Sequence, residues 1–426
     1  MRSLVRRLRP NGVPVIHTVD TVLLEHGERA PVVLDKDGLV AYWPATYLAQ
    51  NRAKSTNGLL AKARTIVSLS DFFNHSTIDI ADRVVCGGLL ARHEIDALIE
   101  HLRLVGPATA RRRLANGQDP CGHVGAVEWA NRRYFAAQYL DHVLGHLIDA
   151  TKNGAEAALL RKNLEVAVFR LRPDFSPPDS TPRRGLSELQ HATFRKVVVP
   201  HAAANPIDAD EQDTAYTYCM LLDALGSRRS EPLLLKLSDI GKLDAEHAIR
   251  LQPNSDDPDD TRRQRPSLKR EPRRLVVVDD LHLMLLDYIE GPRADVGRRL
   301  AAKGDQAAYR AFVRNPYLFV SAKGKPLSIS KVNSFFRRLK TVEGLPSTMS
   351  PALLRNTWND RCHREEVATA NAGKSVDGLR DDRRQRMGWS KFTRMLERYA
   401  LRSLESQANK STHDASLRFE RLVANV

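Results

Sequence analysis

Apolar residues recur at three- and four-residue steps along much of the chain. In "STNGLLAKARTIVSLSDFFNHS", Leu59, Ile66 and Leu69 lie close to one face of a helix. The segment "NRRYFAAQYLDHVLGHLI" repeats the theme at four-residue steps, with Phe135, Tyr139, Val143 and Leu147. Such spacing is typical of amphipathic helices. We therefore predict a compact helical domain over residues 46–170.

Two other parts of the chain have the composition of β-strands. In "VVLDKDGLVAYW", two runs of β-forming residues flank Asp37-Gly38, which is typical of a hairpin. We therefore expect residues 1–45 to form a β-containing arm. Further along, "AIRLQP" and "RRLVVVDD" are short β-like runs on either side of "NSDDPDDTRRQRPS". We expect this polar, acidic stretch to be an exposed hairpin loop.

The helical pattern is interrupted at residues 171–188. This stretch, "LRPDFSPPDSTPRRGLSE", combines repeated prolines with Ser and Asp, which continue neither a helix nor a sheet. It is predicted to be a linker. Residues 189–405 then combine helical patterns with the two β-like runs, and residues 406–426 end in another helical pattern. The predicted fold class is mainly α with a small β-sheet, as a helical domain followed by an α+β domain.

The charge of the chain suggests a polyanionic partner. Its 426 residues carry a formal net charge of +15, and each Lys or Arg that neutralises a phosphate releases a counterion. Nucleic acid is the first candidate, and a solvated basic surface that favours solubility is the alternative. Two basic runs of the helical domain, "ARRRL" and "NRRY", either line DNA or face water. The candidate DNA-binding residues are Arg111, Arg112, Arg113, Arg132 and Arg133.

The sequence argues against a membrane protein and against a metal-binding protein. The chain contains no stretch of about 20 apolar residues, the length that a spanning helix needs. The opening "MRSLVRRLRP" has no apolar run after it, unlike a secretory signal, so we expect a cytoplasmic protein. The four cysteines are far apart and form no CxxC pair, which argues against a zinc site and a disulfide framework. We expect neither a metal nor another cofactor.

Cutting DNA requires either metal-binding carboxylates or a covalent nucleophile with cationic support. The clustered carboxylates of "DDPDD" lie among prolines, where they are more typical of a solvated loop. That leaves the covalent alternative. A phenol has an unperturbed pKa of about 10, so it needs a strongly positive pocket to attack at neutral pH.

Cationic and phenolic candidates stand at separate places in the second half of the chain. Arg228 follows a helix that is expected to end at Gly226, and Arg355 lies among leucines in "SPALLRNTWND". A lone arginine among leucines is usually a surface residue. Lys269 precedes the run "RRLVVV", and Tyr399 lies in the basic "GWSKFTRMLERYALRSL". The tyrosine is either a nucleophile or a packing residue at the edge of a core.

Taken in order, these residues resemble the site of the tyrosine recombinases, the phage integrase family. The ordered set is Arg228 in "GSRRSE", Lys269, Arg355 in "PALLRNTW", Trp389 in "MGW", and Tyr399. The stretch "GSRRSEPLLLKLSDI" is similar to the family's first box, Gly-x-Arg-x-x-Glu followed by leucines and Asp-Ile. The segment "NPYLFVSAKGKPLSISKVNSFFRRL" resembles the one that precedes the family's second arginine, and the helical domain resembles its core-binding domain. The resemblance covers roughly residues 46–405.

The resemblance implies a transesterification that needs no metal. Tyr399 would attack a scissile phosphate to give a 3′-phosphotyrosyl link and a free 5′-hydroxyl. Arg228 and Arg355 would hold the non-bridging oxygens. Lys269 would protonate the leaving 5′-oxygen as general acid.

Other positions have supporting or competing roles. The indole N–H of Trp389 would donate to the phosphate, and Glu231 would orient Arg228. Arg270 and Lys236 compete with Lys269 for the role of general acid, because the loop between Arg228 and Lys269 is long.

The partners implied are double-stranded DNA and further copies of the chain, as a tetramer on paired DNA sites. A terminal apolar stripe would pack either on a neighbouring subunit, as is common in the family, or on its own domain. Its residues are Phe419, Leu422, Val423 and Val426.

The chain departs from the family's pattern in two places. Ala352 stands three residues before the second arginine, where the family usually has a histidine that helps to remove the tyrosine's proton. Loss of a general base lowers a rate by about 10²- to 10⁴-fold; Asn356 or His363 could partly replace it. In addition, "HREEVATANAGKSVDGLRDDRRQR" lengthens the chain between Arg355 and Trp389 and is expected to be an exposed insertion.

Three functions are compatible with these patterns. The first is a site-specific recombinase or integrase of a mobile element. The second is a DNA-binding accessory protein of the same fold that has lost turnover, which Ala352 suggests. The third and weakest is a type IB-like topoisomerase that uses the same covalent chemistry.

Overall fold

The chain forms two compact units in the computed structural model, Met1–Asp179 and Ser180–Val426. The division between them falls within residues 171–188, the predicted linker. The structure describes residues 17–25, 27–52, 56–106, 110, 114–115, 122–151, 153–173, 184–243, 246–253, 257–262, 265–268, 271–390 and 395–396.

The first unit is a helical domain with one small hairpin. Strands β1 (Thr18–Leu23) and β2 (Arg29–Leu34) pair in antiparallel register, with Thr18 opposite Leu34. The helices of its described part are α1 (Tyr42–Gln50), α2 (Thr56–His75), α3 (Ile80–Val85), α4 (Arg92–His101), α5 (Ala126–Asp149) and α6 (Gly154–Leu171).

Apolar helix faces form the core of this unit, as the periodicity predicts. Tyr139 and Val143 of the four-residue series on α5 are buried, and Phe135 and Leu147 are half-buried. The residues at the centre of the core are Ile66, Leu69, Leu98, Leu140, Ile148 and Leu171. Val33 of β2 packs into the same cluster, so the hairpin belongs to the helical core.

The hairpin itself differs from the one that the sequence suggests. Its two strands are joined through residues 24–28, where the N–H of Leu24 donates to the carbonyl of Glu28 at 2.8 Å. A tight turn does form at Asp37-Gly38, but only one β-bridge, Leu34 to Val40, follows it. Helix α1 then begins, so the predicted second strand is wrong. Tyr42 and Trp43 of this run begin the helix, on which Pro44 buries three and four residues before Tyr47 and Leu48.

The second unit combines helices with a three-stranded antiparallel sheet. The sheet has the order β3 (Ile240–Leu243), β4 (Glu246–Leu251), β5 (Arg273–Val276). Its described helices are α7 (Glu188–Val197), α8 (Gln212–Leu225), α9 (Glu231–Leu234), α10 (Asp279–Tyr288), α11 (Ala294–Ala302), α12 (Gln306–Val313), α13 (Ile329–Leu339), α14 (Pro351–Asn371) and α15 (Asp377–Met387).

The core of the second unit lies between the sheet and the helices. Ile249 at the centre of β4 is fully buried and pairs with Ile240 on one side and Leu275 on the other. The helical residues around it include Tyr218, Leu222, Leu285, Phe335 and Leu339. The predicted fold class, mainly α with a small β-sheet, is confirmed in the described part of the chain.

The acidic loop between β4 and β5 is anchored, in contrast to the exposed loop expected from its sequence. Asp260 and Arg262 are 1% and 5% exposed. Arg262 donates to both carboxylate oxygens of Asp260 and to the carbonyls of Leu233 and Leu327. This bidentate pair satisfies both charges inside the protein, which is what permits such polar residues to be buried.

The stretch 363–386 is mostly exposed, as expected, but it is largely helical and contains two buried charges, Glu366 and Arg383. Helix α14 continues to Asn371, and α15 returns along it with Arg383 only 2% exposed. Arg383 donates to Glu366 at 2.8 Å and to Asn359 at 3.0 Å. The sequence does not reveal these two buried charges because they stand among solvated ones. The ion pair of Arg383 with Glu366 joins α15 to α14.

Asp260→Ala should lower the free energy of unfolding by about 3–5 kcal/mol, because it leaves the buried Arg262 without its carboxylate. Chemical denaturation of the whole chain would measure the loss. The matched control is Asp259→Ala, in the same loop but exposed, which should stay within about 0.5 kcal/mol of the parent. Equal effects of the two changes would contradict an anchoring role for Asp260.

Candidate active site

A left-handed glycine ends the helix that precedes Arg228. Helix α8 stops at Leu225, and Gly226 has φ +57°. A Cβ added at Gly226 would lie 2.6 Å from the Trp358 ring and 2.7 Å from the Met387 methyl group. Only glycine therefore fits both the backbone conformation and the space. The close approach brings the Arg228 loop against α14 and the end of α15.

Glu231 holds Arg228 at two points. The Glu231 carboxylate is fully buried and accepts the backbone N–H of Arg228 and its Nη1, both at 2.9 Å. Nη1 of Arg228 also lies 3.4 Å from the carbonyl of Met387. The side chain of Arg228 is 21% exposed, and in the described part of the chain no acceptor bonds its Nε or Nη2. The N–H groups of these two nitrogens are thus available to an anion arriving from solvent.

Arg355 reaches the same loop from α14. That helix begins at Pro351, after Ser350 accepts the N–H of Leu353 on its hydroxyl. Nη1 of Arg355 donates to the carbonyl of Gly226 at 2.7 Å, and the residue is 7% exposed. The second arginine therefore bonds the chain two residues before the first. Two arginines that are 127 positions apart in the sequence meet at one turn.

Trp389 is brought to these arginines by the end of α15. Gly388 has φ +63°, the N–H of Gly388 donates to Gln385, and that of Trp389 donates to Arg384 at 2.8 Å. This is a Schellman end, which fixes the direction of the chain after a helix. The Trp389 ring centroid lies 5.8 Å from the guanidinium carbon of Arg355, within the range of a cation–π contact.

Sequence reasoning missed Arg273, which lies in the middle of this arrangement. Its Nη2 donates to Glu231 at 2.9 Å and its Nε donates to the carbonyl of Arg386 at 2.9 Å. Its side chain is 6% exposed. Strand alternation could have found it, because Arg273 shares a face of β5 with the buried Leu275. An arginine on the inward face of a strand needs a partner.

Two further carboxylates join the helices around the site. Asp223 of α8 binds His191 and Arg195 of α7 at 2.8 Å and Arg361 of α14 at 3.3 Å. Burial raises the pKa of Asp223, but His191, Arg361 and Arg195 outweigh it and hold the pKa below its ordinary value. Asp223 therefore remains charged at neutral pH and keeps three helices together.

Glu366 has the equivalent role between α14 and α15. Burial raises the pKa of Glu366, and its contacts with His363 and Arg383 lower it to below the ordinary value. The guanidinium carbon of Arg383 is also 6.0 Å from the Trp389 ring centroid. The ionised pair of Glu366 and Arg383 therefore supports the end of α15 from which Trp389 extends.

Several of the predicted site residues lie outside the described part of the chain. They are Lys269, its competitor Arg270, the nucleophile candidate Tyr399, and Arg111, Arg112 and Arg113. Their roles stay predictions, as does the packing of the terminal stripe that contains Phe419. The other competitor, Lys236, is described: its ammonium binds Asp257 at 2.7 Å and lies 5.6 Å from the Tyr317 ring centroid.

Ala352 is exposed on α14, one turn before Arg355. The two proposed replacements for a histidine there are bonded to other groups. Asn356 donates to the carbonyl of Arg184 at 3.4 Å, and His363 lies 3.4 Å from Glu366. Among the described residues, neither is hydrogen-bonded to Arg228 or Arg355.

The two described basic residues of the first unit differ in their surroundings. Arg132 donates to the carbonyl of Leu104 at 2.7 Å and to Glu128 at 2.7 Å, and remains partly exposed. Arg133 is 6% exposed and donates to the carbonyls of residues 170–172 at the end of α6. Arg133 thus caps a helix inside the domain, a placement that speaks against a DNA contact. Arg132 stays a predicted contact.

The described residues contain neither a metal-binding cluster nor a membrane-spanning helix. No group of three or more His, Cys, Asp or Glu in this part of the chain could hold a metal ion. Across the same residues, every helix is too short or too polar to cross a membrane.

Comparison with known proteins gives a result only for solved structures. No protein-family model matches the sequence, and no curated protein matches it significantly. Among solved structures, the chain is similar to the XerH site-specific recombinase bound to difH substrate, at 11% identity and a TM-score of 0.48, over 82% of this chain and 79% of that one. It is also similar to the Tn1549 transposon integrase in complex with transposon right end DNA, at 15% identity and a TM-score of 0.43, over 85% and 98%.

A third similar structure is a lambda integrase dimer bound to a COC′ core site. Its identity is 12% and its TM-score 0.43, over 84% of this chain and 75% of that one. The three structures named here are thus those of one recombinase and two integrases.

Proposed function

We propose that the protein is a tyrosine recombinase, a site-specific enzyme that cleaves and rejoins DNA through a 3′-phosphotyrosyl intermediate. It would act in the cytoplasm on DNA of a mobile element. The observation that supports this most is the meeting of Arg228, Arg355 and Trp389. Three separate elements bring them together, and they follow the order of the family's motif.

The charge balance of this cluster suits an oxyanion. Among the described residues, Arg228 and Arg273 contribute two positive charges against the shared carboxylate of Glu231, and Arg355 bonds the adjacent turn at Gly226. All four groups are held by hydrogen bonds before any ligand arrives. Donors fixed in this way stabilise charge that develops on a phosphate in the transition state, because they do not have to reorganise.

The proposed reaction conserves the number of phosphoester bonds. The phenol oxygen of Tyr399 attacks phosphorus and loses its proton, and the bond from phosphorus to the 5′-oxygen breaks. Lys269 donates a proton to that 5′-oxygen. Attack by a 5′-hydroxyl on the phosphotyrosine reverses these steps and joins the strand, so rejoining needs no nucleotide cofactor.

The remaining parts of the chain would position DNA and other subunits. Residues 46–170 would bind the core of the DNA site, residues 189–405 would carry the chemistry, and residues 1–45 would form an arm. Four copies would assemble on two DNA sites, with residues 406–426 packed against a neighbouring subunit. The net charge of +15 supports a DNA partner.

A second candidate function is a DNA-binding accessory protein without turnover. The exposed Ala352 beside Arg355 favours it, since this turn of α14 offers no proton acceptor. A topoisomerase is a weaker third candidate. It would relax a supercoiled plasmid of any sequence, whereas a recombinase would need its own site.

Tyr399→Phe should abolish covalent attachment to DNA and leave non-covalent binding unchanged, because only the nucleophilic oxygen is lost. Duplexes from a randomised library would be incubated with the wild-type protein, and the DNA that stays attached after denaturation would be sequenced. The recovered sequence, rebuilt with a nick near the cleavage point, then compares the two proteins. DNA binding without an adduct from either protein would favour the accessory function.

Arg228→Ala and Arg355→Ala should each lower the cleavage rate by about 10²- to 10³-fold, because each removes a donor to the phosphate. The dissociation constant of the nicked duplex should change much less. Single-turnover cleavage and a binding titration measure the two quantities. The neighbouring Arg229, which is exposed and donates to Asn333, is the matched control as Arg229→Ala. If the affinity for DNA fell as much as the cleavage rate, the two arginines would bind the phosphate without contributing to catalysis.

Ala352→His should raise the cleavage rate, by up to about 10²-fold, by supplying a base one turn from Arg355. Single-turnover cleavage of the nicked duplex is again the measurement. Ala370→His, at an exposed position near the other end of α14, should leave the rate unchanged. An unchanged or lower rate in Ala352→His would show that this turn does not face the tyrosine.

A further inference from the structure

Arg273, which no motif of the sequence singled out, connects Glu231 with the end of α15. It lies at the start of β5, opposite Leu251 of β4. The sheet fixes its backbone, and burial restricts its side chain, which is 6% exposed. Its guanidinium is therefore held at one place.

The contacts of Arg273 join two parts of the site. Nη2 donates to Oε2 of Glu231, the same oxygen that accepts the backbone N–H of Arg228. Nε donates to the carbonyl of Arg386, in the last turn of α15. The next carbonyl, that of Met387, lies 3.4 Å from Nη1 of Arg228. The two arginines thus bind consecutive carbonyls in the last turn of a helix, where the helix itself supplies no N–H donor.

Sharing the carboxylate has an electrostatic consequence. If Glu231 had Arg228 as its only cation, it could turn both oxygens to that guanidinium as a bidentate pair, which would neutralise it. With Arg273 on Oε2, only Oε1 remains for the Arg228 side chain, at 2.9 Å. Arg228 is thereby oriented while Nε and Nη2 stay available to a phosphate.

We propose that Arg273 is a positioning residue of the recombination site, which holds Glu231 so that Arg228 presents its open N–H groups to the scissile phosphate. The same guanidinium fixes the end of α15 that leads to Trp389. This role rests on the proposed function. Arg273 does not touch the reacting atoms; it acts through Glu231.

The primary test compares single-turnover cleavage of the nicked duplex by the wild-type protein and by Arg273→Met. The methionine keeps an apolar stem of similar length but removes the charge and the donors. We expect a rate about 10²-fold lower, as for a catalytic group displaced by about 1 Å, with the dissociation constant nearly unchanged. The matched control is Arg274→Met, on the same strand but exposed on the opposite face, which should cleave at the wild-type rate.

A double-variant comparison distinguishes positioning from a general loss of structure. Since Arg273 acts through Glu231, Arg273→Met combined with Glu231→Gln should lose no more rate than Glu231→Gln alone. Multiplied losses would overturn the proposed route through Glu231. Arg273→Lys keeps the charge, but its single ammonium cannot bind both acceptors in the way that a guanidinium does. It should therefore cleave about tenfold faster than Arg273→Met and more slowly than the wild-type protein. If Arg273→Met does not fold, a wild-type cleavage rate in Arg273→Lys would overturn the positioning role of Arg273.

The outcomes separate this inference from the function on which it rests. Lack of an adduct with the wild-type protein on every duplex would overturn the proposed function. A wild-type adduct together with an unchanged rate in Arg273→Met would overturn only the role of Arg273. A loss of DNA affinity equal to the loss of rate would also overturn it, because it would make Arg273 a binding residue.

Discussion

The carboxylate of Glu231 is buried between the guanidinium groups of Arg228 and Arg273, and the candidate site depends on this shared ion pair. A buried charge is costly unless it is paired and hydrogen-bonded. Here each carboxylate oxygen has a cationic donor, and Oε2 has a backbone N–H as well. The pairing leaves an excess of positive charge at the surface of the second unit. That excess is what an oxyanion would meet.

Two left-handed glycines bring the helices of the site close enough for this pairing. Gly226 lets the end of α8 approach Trp358 and Met387, and Gly388 turns the chain from α15 into Trp389. Buried carboxylates farther out then tie α7, α8, α14 and α15 together: Asp223 binds His191, Arg195 and Arg361, and Glu366 binds Arg383. Arg228 and Arg355 are therefore held rigidly. Rigid donors suit the stabilisation of a transition state better than mobile ones.

Much of the fold and part of the site follow from local sequence patterns. The helices appear where apolar residues repeat at helical spacing, and β4 and β5 appear at the two β-like runs. Arg228, Glu231, Arg355 and Trp389 were found from short motifs. Each of these signals lies within about 15 residues, so it is readable without knowing what the segment packs against.

What the sequence determined by itself is therefore the type of most elements, the excess of positive charge and the order of the motif residues. Only the tertiary structure decided which charged residues are internal. Arg262 with Asp260, Arg383 with Glu366, and Arg273 with Glu231 looked solvated in sequence and are buried in pairs. It also showed that Arg133 caps a helix, that Asn356 donates to the carbonyl of Arg184, and that His363 contacts Glu366. The physical reason is that the burial of a charge depends on a partner brought to it by folding. For Arg273 and Glu231, that partner is 42 residues away along the chain.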